Sequence, residues 1–412
     1  MLNPHPTLRW SDVQFRRRVS WSAFETADSA VFPAYNARGA LYQLLRAIPT
    51  GSVVLLPAFH CTALVEPVAR SRFRAEFYRI RPDFSIDYDD LRAKLSPEVA
   101  LVVVIHFFGF PADLGPILEL KRRSHFLLLE DCAHSFLTHD NQEPIGHRGD
   151  CAIYSYYKAV PSLAGGALRI NRRSLPFTSS STAVSWRDSA VIAKRLAEQL
   201  LDNSGDSRFK RALRKLEDWR VSRKYRKQAA PASSQQAVSG FVDDPYLFRE
   251  DLALARMPSL CKRILLSSDW RSIAAARRRN YRILNDSLRE NSLLKKPFPA
   301  LPENVTPWAY PVLLKNRTRY EQQLRSQGVP LFTFGEVLHP LLQRAEPHAR
   351  QDAEALSGEL MLLPVHQNLS EQHVSAYAGE INQFLAAHLV EAPENSEAAI
   401  SAGSPALRRI PA

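Results

Sequence analysis

The chain has no apolar run near the roughly 20 residues needed to span a bilayer. Its longest stretches, such as Val99 to Phe110, are interrupted and read as buried strands. A membrane-inserted protein is therefore not expected. The opening "MLNPHPTLRWSDVQFRRR" lacks the apolar core of a secretory leader, so the expected location is the cytoplasm. Cysteine is scarce. Cys61, Cys132, Cys151 and Cys261 form no CxxC pair and read as small buried residues in a reducing compartment. No His/Cys cluster has zinc spacing, so no metal is expected. Nucleic-acid motifs are also missing. The basic stretch 208–227, "RFKRALRKLEDWRVSRKYRK", has no interleaved aromatics of the kind a base-stacking platform uses, and reads as a solvated face or arm.

What is present suits a large globular protein. The chain has 412 residues, 45% hydrophobic and 23% charged, with a net charge of +12. That length exceeds one small core and predicts a large α/β domain (1–255, with a variable helical and loop region at 172–255), a smaller C-terminal α/β domain (256–390) and a disordered tail (391–412).

Between about residues 34 and 171, strand and helix patterns alternate. "ARGALYQLLRAI" (37–48) has helical spacing, and "SVVLLP" (52–57) is a short apolar run. "RAEFYRI" (74–80) alternates, while "EVALVVVIHFFG" (98–109) is a continuous β-branched run. "DLGPILELKRRS" (113–124) is amphipathic, with Asp113 as its expected N-cap. "HFLLLEDCA" (125–133), "CAIYSYYK" (151–158) and "GALRIN" (166–171) complete the series. This order predicts βαβ units and a mostly parallel sheet, with ligands at the strands' carboxyl ends. Past Met257 a long helix, "SSDWRSIAAARRRNYRILNDSLREN" (267–291), leads onward to a strand at 308–316 and helices at 318–328 and 370–389, the last with Ser370 as N-cap.

Three features carry chemistry together. In "EDCAHS" (130–135) an acidic residue ends a buried strand, so Asp131 leaves the carboxyl edge of the sheet. Such a carboxylate can keep a pyridine nitrogen protonated as an electron sink; alone it is more usually a helix cap or a metal ligand. In "SYYKAVPSLAGGAL" (155–168) Lys158 follows a buried strand, where desolvation lowers a lysine pKa and makes it nucleophilic. Ser155 is a candidate phosphate donor, and Gly165 and Gly166 permit positive φ and close chain approach. In "NARGAL" (36–41) the amides of Ala37 to Ala40 open a helix and form an anion site, to which Arg38 adds charge and Gly39 removes bulk.

The ordered series "LLPAFHCTALVEPV", "VIHFFGFPADL", "LLEDCAHS" and "GHRGDCAIYSYYKAVPSLAGGALRI", with "RRRNYRIL" and "LMLLPVHQNLSEQHVSAYAGEI" later, resembles the DegT/StrS-type nucleotide-sugar aminotransferases over roughly residues 34–390. These are fold-type-I enzymes dependent on pyridoxal 5'-phosphate (PLP). The resemblance implies that Lys158 forms the internal aldimine and shuttles a proton, and that Asp131 pairs with the pyridinium nitrogen. It further implies that His134 packs on the ring, and that Ser155 and the helix start hold the phosphate. His106 matches a frequent site histidine; a satisfied core histidine fits it equally well. Where the family usually places a ring-stacking aromatic stands Cys61, which leaves Phe59 and His60 as stacking candidates. The family's partner-subunit Asn-x-Arg segment has only Arg249 as a candidate here. The implied reaction moves an amino group from an amino acid, expected to be glutamate, to a nucleotide-linked keto-sugar in a homodimer. The alternatives are a lyase or dehydratase of the same fold, or a vestigial regulatory member. Family sugar dehydratases replace the lysine with histidine, so Lys158 favours transamination.

Overall fold

The structure, a computed structural model, describes residues 2–12, 19–25, 29–48, 51–140, 143–171, 175, 177–179, 182–203 and 248–390. The basic segment 208–227 and the tail 391–412 lie outside the described residues.

The chain enters a large sheet as β1 (Ala30–Ala34), turns into α1 (Ala37–Ala47), and continues through β2 (Val53–Pro57), α2 (Thr62–Ala69), β3 (Arg74–Tyr78), α3 (Tyr88–Ala93), β4 (Val99–Ile105), α4 (Gly115–Lys121) and β5 (Leu127–Asp131). A small ribbon, β6 (His139–Asp140) with β7 (Glu143–Pro144), precedes β8 (Cys151–Ser155) and β9 (Gly166–Ile170). The seven-stranded order is β1-β9-β8-β5-β4-β2-β3. The strands β3, β2, β4, β5 and β8 run parallel; β9 pairs antiparallel with both β8 and the edge strand β1, so β9 alone is reversed. All residues of β2, β4, β8 and β9 are buried, as strands covered on both faces require. Neighbouring strands share register, so Ile105, Asp131 and Ile153 line up across β4, β5 and β8. Because side chains alternate between faces, Ser155 joins them, while Glu130 and Tyr154 point to the other face.

Helix α1 lies across β8 and β9, with Leu41, Leu44 and Leu45 buried. Asn36 caps it, its Oδ1 accepting from the Gly39 amide at 2.8 Å. Helix α4 begins two residues beyond Asp113, whose Oδ1 accepts from the Gly115 amide at 2.9 Å. Beyond β9 come α5 (Trp186–Asp202) and α6 (Glu250–Ala253). A short helix, α7 (Ser259–Ser267), comes first; the long helix expected over 267–291 is α8 (Trp270–Ser287), which Asp269 caps through the Ser272 amide. A three-stranded antiparallel sheet follows, β10 (Leu294–Lys295), β11 (Ala309–Leu314) and β12 (Leu360–Pro364), with α9 (Arg317–Ser326), α10 (Pro347–Glu359) and α11 (Glu371–Val390) around it. Ser370 caps α11, accepting from the His373 amide at 3.2 Å. Buried residues of both sheets belong to one apolar cluster, from Ala34 to Leu385. Helix α7, just past residue 255, packs Cys261, Ile264 and Leu265 into a second cluster with Tyr154 of β8 and Tyr156 just beyond it. Among the described residues no helix is long and apolar enough to cross a membrane.

The Gly165–Gly166 pair has two separate causes. Gly165 has φ +127°, and a Cβ there would meet Met257 Cε at 2.4 Å. A Cβ on Gly166 would lie 2.5 Å from the Tyr154 carbonyl oxygen, 2.6 Å from the Asn36 carbonyl carbon and 2.7 Å from the Ala37 nitrogen, all backbone. The start of α1 therefore sits directly on β9. Gly166→Ala is expected to cost about 1–3 kcal/mol by overpacking, read as a lowered denaturant midpoint, and to push the α1 start away from Ser155.

Candidate functional site

A cleft of about 530 Å³ opens at the carboxyl edge of the large sheet, where ligands collect in open α/β sheets. Its walls come from the ends of β4 (Ile105), β5 (Asp131) and β8 (Ile153, Ser155), the start of α1 (Asn36, Ala37, Arg38), and Cys61 at the start of α2. His134, Tyr157, Lys158 and Phe334 complete it. The sequence candidates Lys158, Asp131, His134, Ser155, Ala37 and Arg38 are thus brought to one cavity.

Lys158 ends a one-turn 3-10 helix, Tyr156–Lys158, directly after β8. Its Nζ lies 4.9 Å from the centre of the Trp308 ring. Burial pushes the amine below the ordinary lysine pKa; Cys61 and Asp131 pull it back up, and Arg38 pushes it down. The turn is held from behind by Arg277, which is 2% exposed and donates from Nη2 to the Lys158 carbonyl at 3.0 Å and from Nη1 to the Trp308 carbonyl at 2.9 Å.

Asp131 is 8% exposed, with Oδ1 accepting from the Ala133 amide at 2.9 Å. Burial raises its pKa, against the Ala133 hydrogen bond and the positive charge of Lys158. A carboxylate so placed is ready for a cationic partner. His134 is stacked on Trp308, with ring centres 4.0 Å apart and an interplanar angle of 17°. Its Nδ1 accepts from the Phe108 amide at 3.4 Å, so the hydrogen sits on Nε2. Burial, then the Lys158 charge, hold its pKa well below the histidine range, so the ring is neutral. Phe108 itself adopts φ 55°, a left-handed conformation that costs a non-glycine residue on the order of 1–3 kcal/mol. It sits in the β4 exit turn, with its ring stacked over His134 at 5.9 Å.

Five candidates are placed elsewhere. Gly39 does not line the cleft: its amide is used by Asn36, and its missing Cβ makes room for the Ala253 carbonyl oxygen, which a Cβ would meet at 2.8 Å. Phe59 and His60 are both 0% exposed. Phe59 packs in an aromatic cluster with Phe84, Phe107 and Phe334. His60 stacks on Phe77, donates from Nδ1 to the Pro57 carbonyl at 3.0 Å, and accepts at Nε2 from the His339 amide at 3.3 Å. Neither ring lines the cleft. Phe59→Ala is therefore expected to destabilise the fold by about 3–5 kcal/mol as a core truncation. His60→Ala is expected to leave cofactor affinity unchanged in the folded protein, as measured by cofactor titration.

His106 follows Ile105, and strand alternation turns it away from the cleft. Its Nδ1 accepts from the Ala112 amide at 3.0 Å and its Nε2 meets Glu130 Oε2 at 2.9 Å, both side chains 1% exposed. It is a satisfied core histidine. Cys132 lies close enough to this pair to complete a metal-like trio, but both histidine nitrogens are engaged and Glu130 also accepts from the Gly149 amide. Arg249 lies outside the cleft of its own chain, paired with Asp188 at 2.9 Å and Asp251 at 2.7 Å.

Reading the sequence overlooked Asn36, Cys61, Tyr157, Phe334, Trp308 and Arg277 as members of this site. Asn36 carried a signal, an N-cap residue ahead of "ARGAL". Trp308, Phe334 and Arg277 come from the distant C-terminal half, where no local pattern links them to the cleft.

Residues 28–175 match the model of the DegT/DnrJ/EryC1/StrS aminotransferase family. A GDP-perosamine synthase of Caulobacter vibrioides is 31% identical over 90 residues, 21% of this chain and 24% of that protein. A UDP-4-amino-4,6-dideoxy-N-acetyl-beta-L-altrosamine transaminase of Campylobacter jejuni is 26% identical over 176 residues, 42% of this chain and 43% of that protein. The chain thus spans less than half the length of these curated relatives. An aminotransferase from Psychrobacter cryohalolentis superposes with a TM-score of 0.62 at 16% identity, covering 91% of each chain. A DegT DnrJ EryC1 StrS aminotransferase from Brucella abortus gives 0.61 at 20% identity, covering 90% of this chain and 91% of its own. The fold is therefore that of these aminotransferases.

Proposed function

From the DegT/DnrJ/EryC1/StrS aminotransferase family domain that residues 28–175 form, we propose that the chain is a PLP-dependent aminotransferase. It moves an amino group from an amino acid, glutamate first, to a nucleotide-linked keto-sugar. The observation that carries this reading is the convergence on one cleft of a lysine with a lowered pKa, a buried carboxylate, a neutral histidine, and a helix start with Arg38 and Ser155.

The donor set fits the cofactor. The start of α1, Arg38 and Ser155 offer amides, a guanidinium and a hydroxyl to a phosphate. Asp131 offers a carboxylate to a protonated ring nitrogen. His134 offers an Nε2 hydrogen. When bound, PLP supplies the electron sink that stabilises negative charge at the substrate α-carbon. The chain supplies the rest. Lys158 would hold the cofactor covalently and, once the substrate amine has displaced it, would move the proton at that carbon, its lowered pKa leaving more of the amine neutral. Asp131 would keep the ring nitrogen charged. Trp308 beside the Lys158 amine and Phe334 in the cleft wall would limit water there. A homodimer belongs to the proposal, supported by the family resemblance.

The test is transfer of ¹⁵N from labelled glutamate to UDP- and GDP-linked keto-sugars, the nucleotide classes in the relatives' names, followed by mass spectrometry. Labelled amino-sugar with matching 2-oxoglutarate supports the reading. Label that never leaves glutamate, with the cofactor bound, overturns the glutamate-to-sugar assignment.

A further inference from the structure

The face of the large sheet opposite the cleft carries a second, different cavity. Alternation along β8 sends Tyr154 there, and Arg169 of β9 pairs with Ala152, the residue two before Tyr154, so it shares that face. A chamber of about 500 Å³ is walled by Phe24, Phe136, Tyr154, Tyr156 and Trp270, with Arg169 among them. The rings surround the space: Phe24 lies 5.1 Å from Trp270 and 5.4 Å from Tyr156, and Phe136 lies 4.7 Å from Tyr156. Aromatic walls alone would be ordinary core. The guanidinium is the second observation.

Arg169 is 3% exposed. Its Nε donates to Asn171 Oδ1 at 2.7 Å. Asn171 is itself fixed by donating to the Gly146 and Gly149 carbonyls at 2.7 and 3.0 Å. The side chain is thus clamped through one nitrogen. Among the described residues its two terminal nitrogens have neither a hydrogen-bond acceptor nor a carboxylate. Other buried arginines here are treated differently. Arg317 pairs with Glu321, and Arg277 spends its terminal nitrogens on carbonyls. A buried, unpaired cation is costly, and a fixed guanidinium fork matches a planar carboxylate with two parallel hydrogen bonds. One cation calls for a monoanion. Flat apolar walls call for a ring.

We propose that this chamber is a binding site, separate from the Lys158 cleft, for a small aromatic carboxylate: the ring lies among Phe24, Phe136, Tyr156 and Trp270, and the carboxylate pairs with Arg169. The proposal does not depend on which reaction the cleft performs.

The probes are benzoate and its neutral isostere benzamide, titrated calorimetrically into the cofactor-loaded full-length protein. Benzoate is expected to bind saturably at one site, and benzamide at least about tenfold more weakly. Arg169→Met is expected to remove that preference while leaving the ligand-free unfolding midpoint equal or higher, because an unpaired buried charge is lost. A purely structural arginine would instead lower the midpoint. Should Arg169→Met fail to fold, Arg169→Lys, which keeps the charge but loses the fork, is expected to weaken benzoate selectively. No saturable binding up to about 10 mM, equal binding of benzamide, or benzoate binding that survives Arg169→Met overturns the proposal.

Discussion

Lys158→Ala is expected to lower amino-group transfer by at least about 10³-fold, because a covalent anchor and a positioned acid–base group are removed together. The fold should survive. The turn's backbone is held independently of the amine by Arg277, whose Nη2 meets the Lys158 carbonyl, and by the Tyr156 amide, which donates to the Gly165 carbonyl at 2.9 Å. Initial rates with glutamate and a keto-sugar, set beside an unchanged circular dichroism spectrum, measure this. A variant within about tenfold of the parent would remove Lys158 from the chemistry. The same lysine sets a pH dependence. Only the neutral amine attaches the cofactor, and burial is the main reason its pKa lies below the ordinary value. The attachment rate should therefore rise with pH and level off below the pKa of an exposed lysine. Asp131 opposes that lowering, so in Asp131→Asn the levelling should move to still lower pH.

Asp131→Asn is the second large effect. A charge-assisted hydrogen bond to a protonated ring nitrogen is worth about 1.5–3 kcal/mol, so cofactor retention should weaken by roughly 10- to 150-fold. Turnover should fall further, by about 10²-fold or more at saturating cofactor, because a ring nitrogen without its carboxylate no longer stays protonated. Asparagine keeps the shape and still accepts from the Ala133 amide, so this loss reports charge and not folding. A drop in retention with unchanged turnover at saturating cofactor would assign Asp131 to binding alone.

The residues that could be read from the sequence were those whose position on a strand decides their direction. Asp131 and Ser155 end continuous buried runs, β5 and β8, and shared register puts them beside Ile105 and Ile153 on the cleft face. Lys158 follows β8 by one turn, and Gly166 sits where strand and helix start collide. The same geometry decides between the two readings open for His106: one residue past Ile105, it points to the opposite face and meets Glu130, as a core histidine does. Phe59 and His60 follow β2 without a strand pattern to fix their direction, and the backbone of this turn, through the Pro57 carbonyl, draws the His60 ring into the core. Gly39 was assigned to the right turn but the wrong neighbour, since α6 approaches from residue 250 onward. The floor of the site, Trp308 and Phe334, depends on packing between chain segments more than 140 residues apart, which local periodicity does not encode.

The central claim is that Lys158 carries PLP. Incubating the protein with PLP, reducing with borohydride and mapping the modified peptide by mass spectrometry tests it without a substrate. The expected result is a single phosphopyridoxyl group on Lys158, absent in Lys158→Ala. Modification of a different lysine, or none at all, would contradict it.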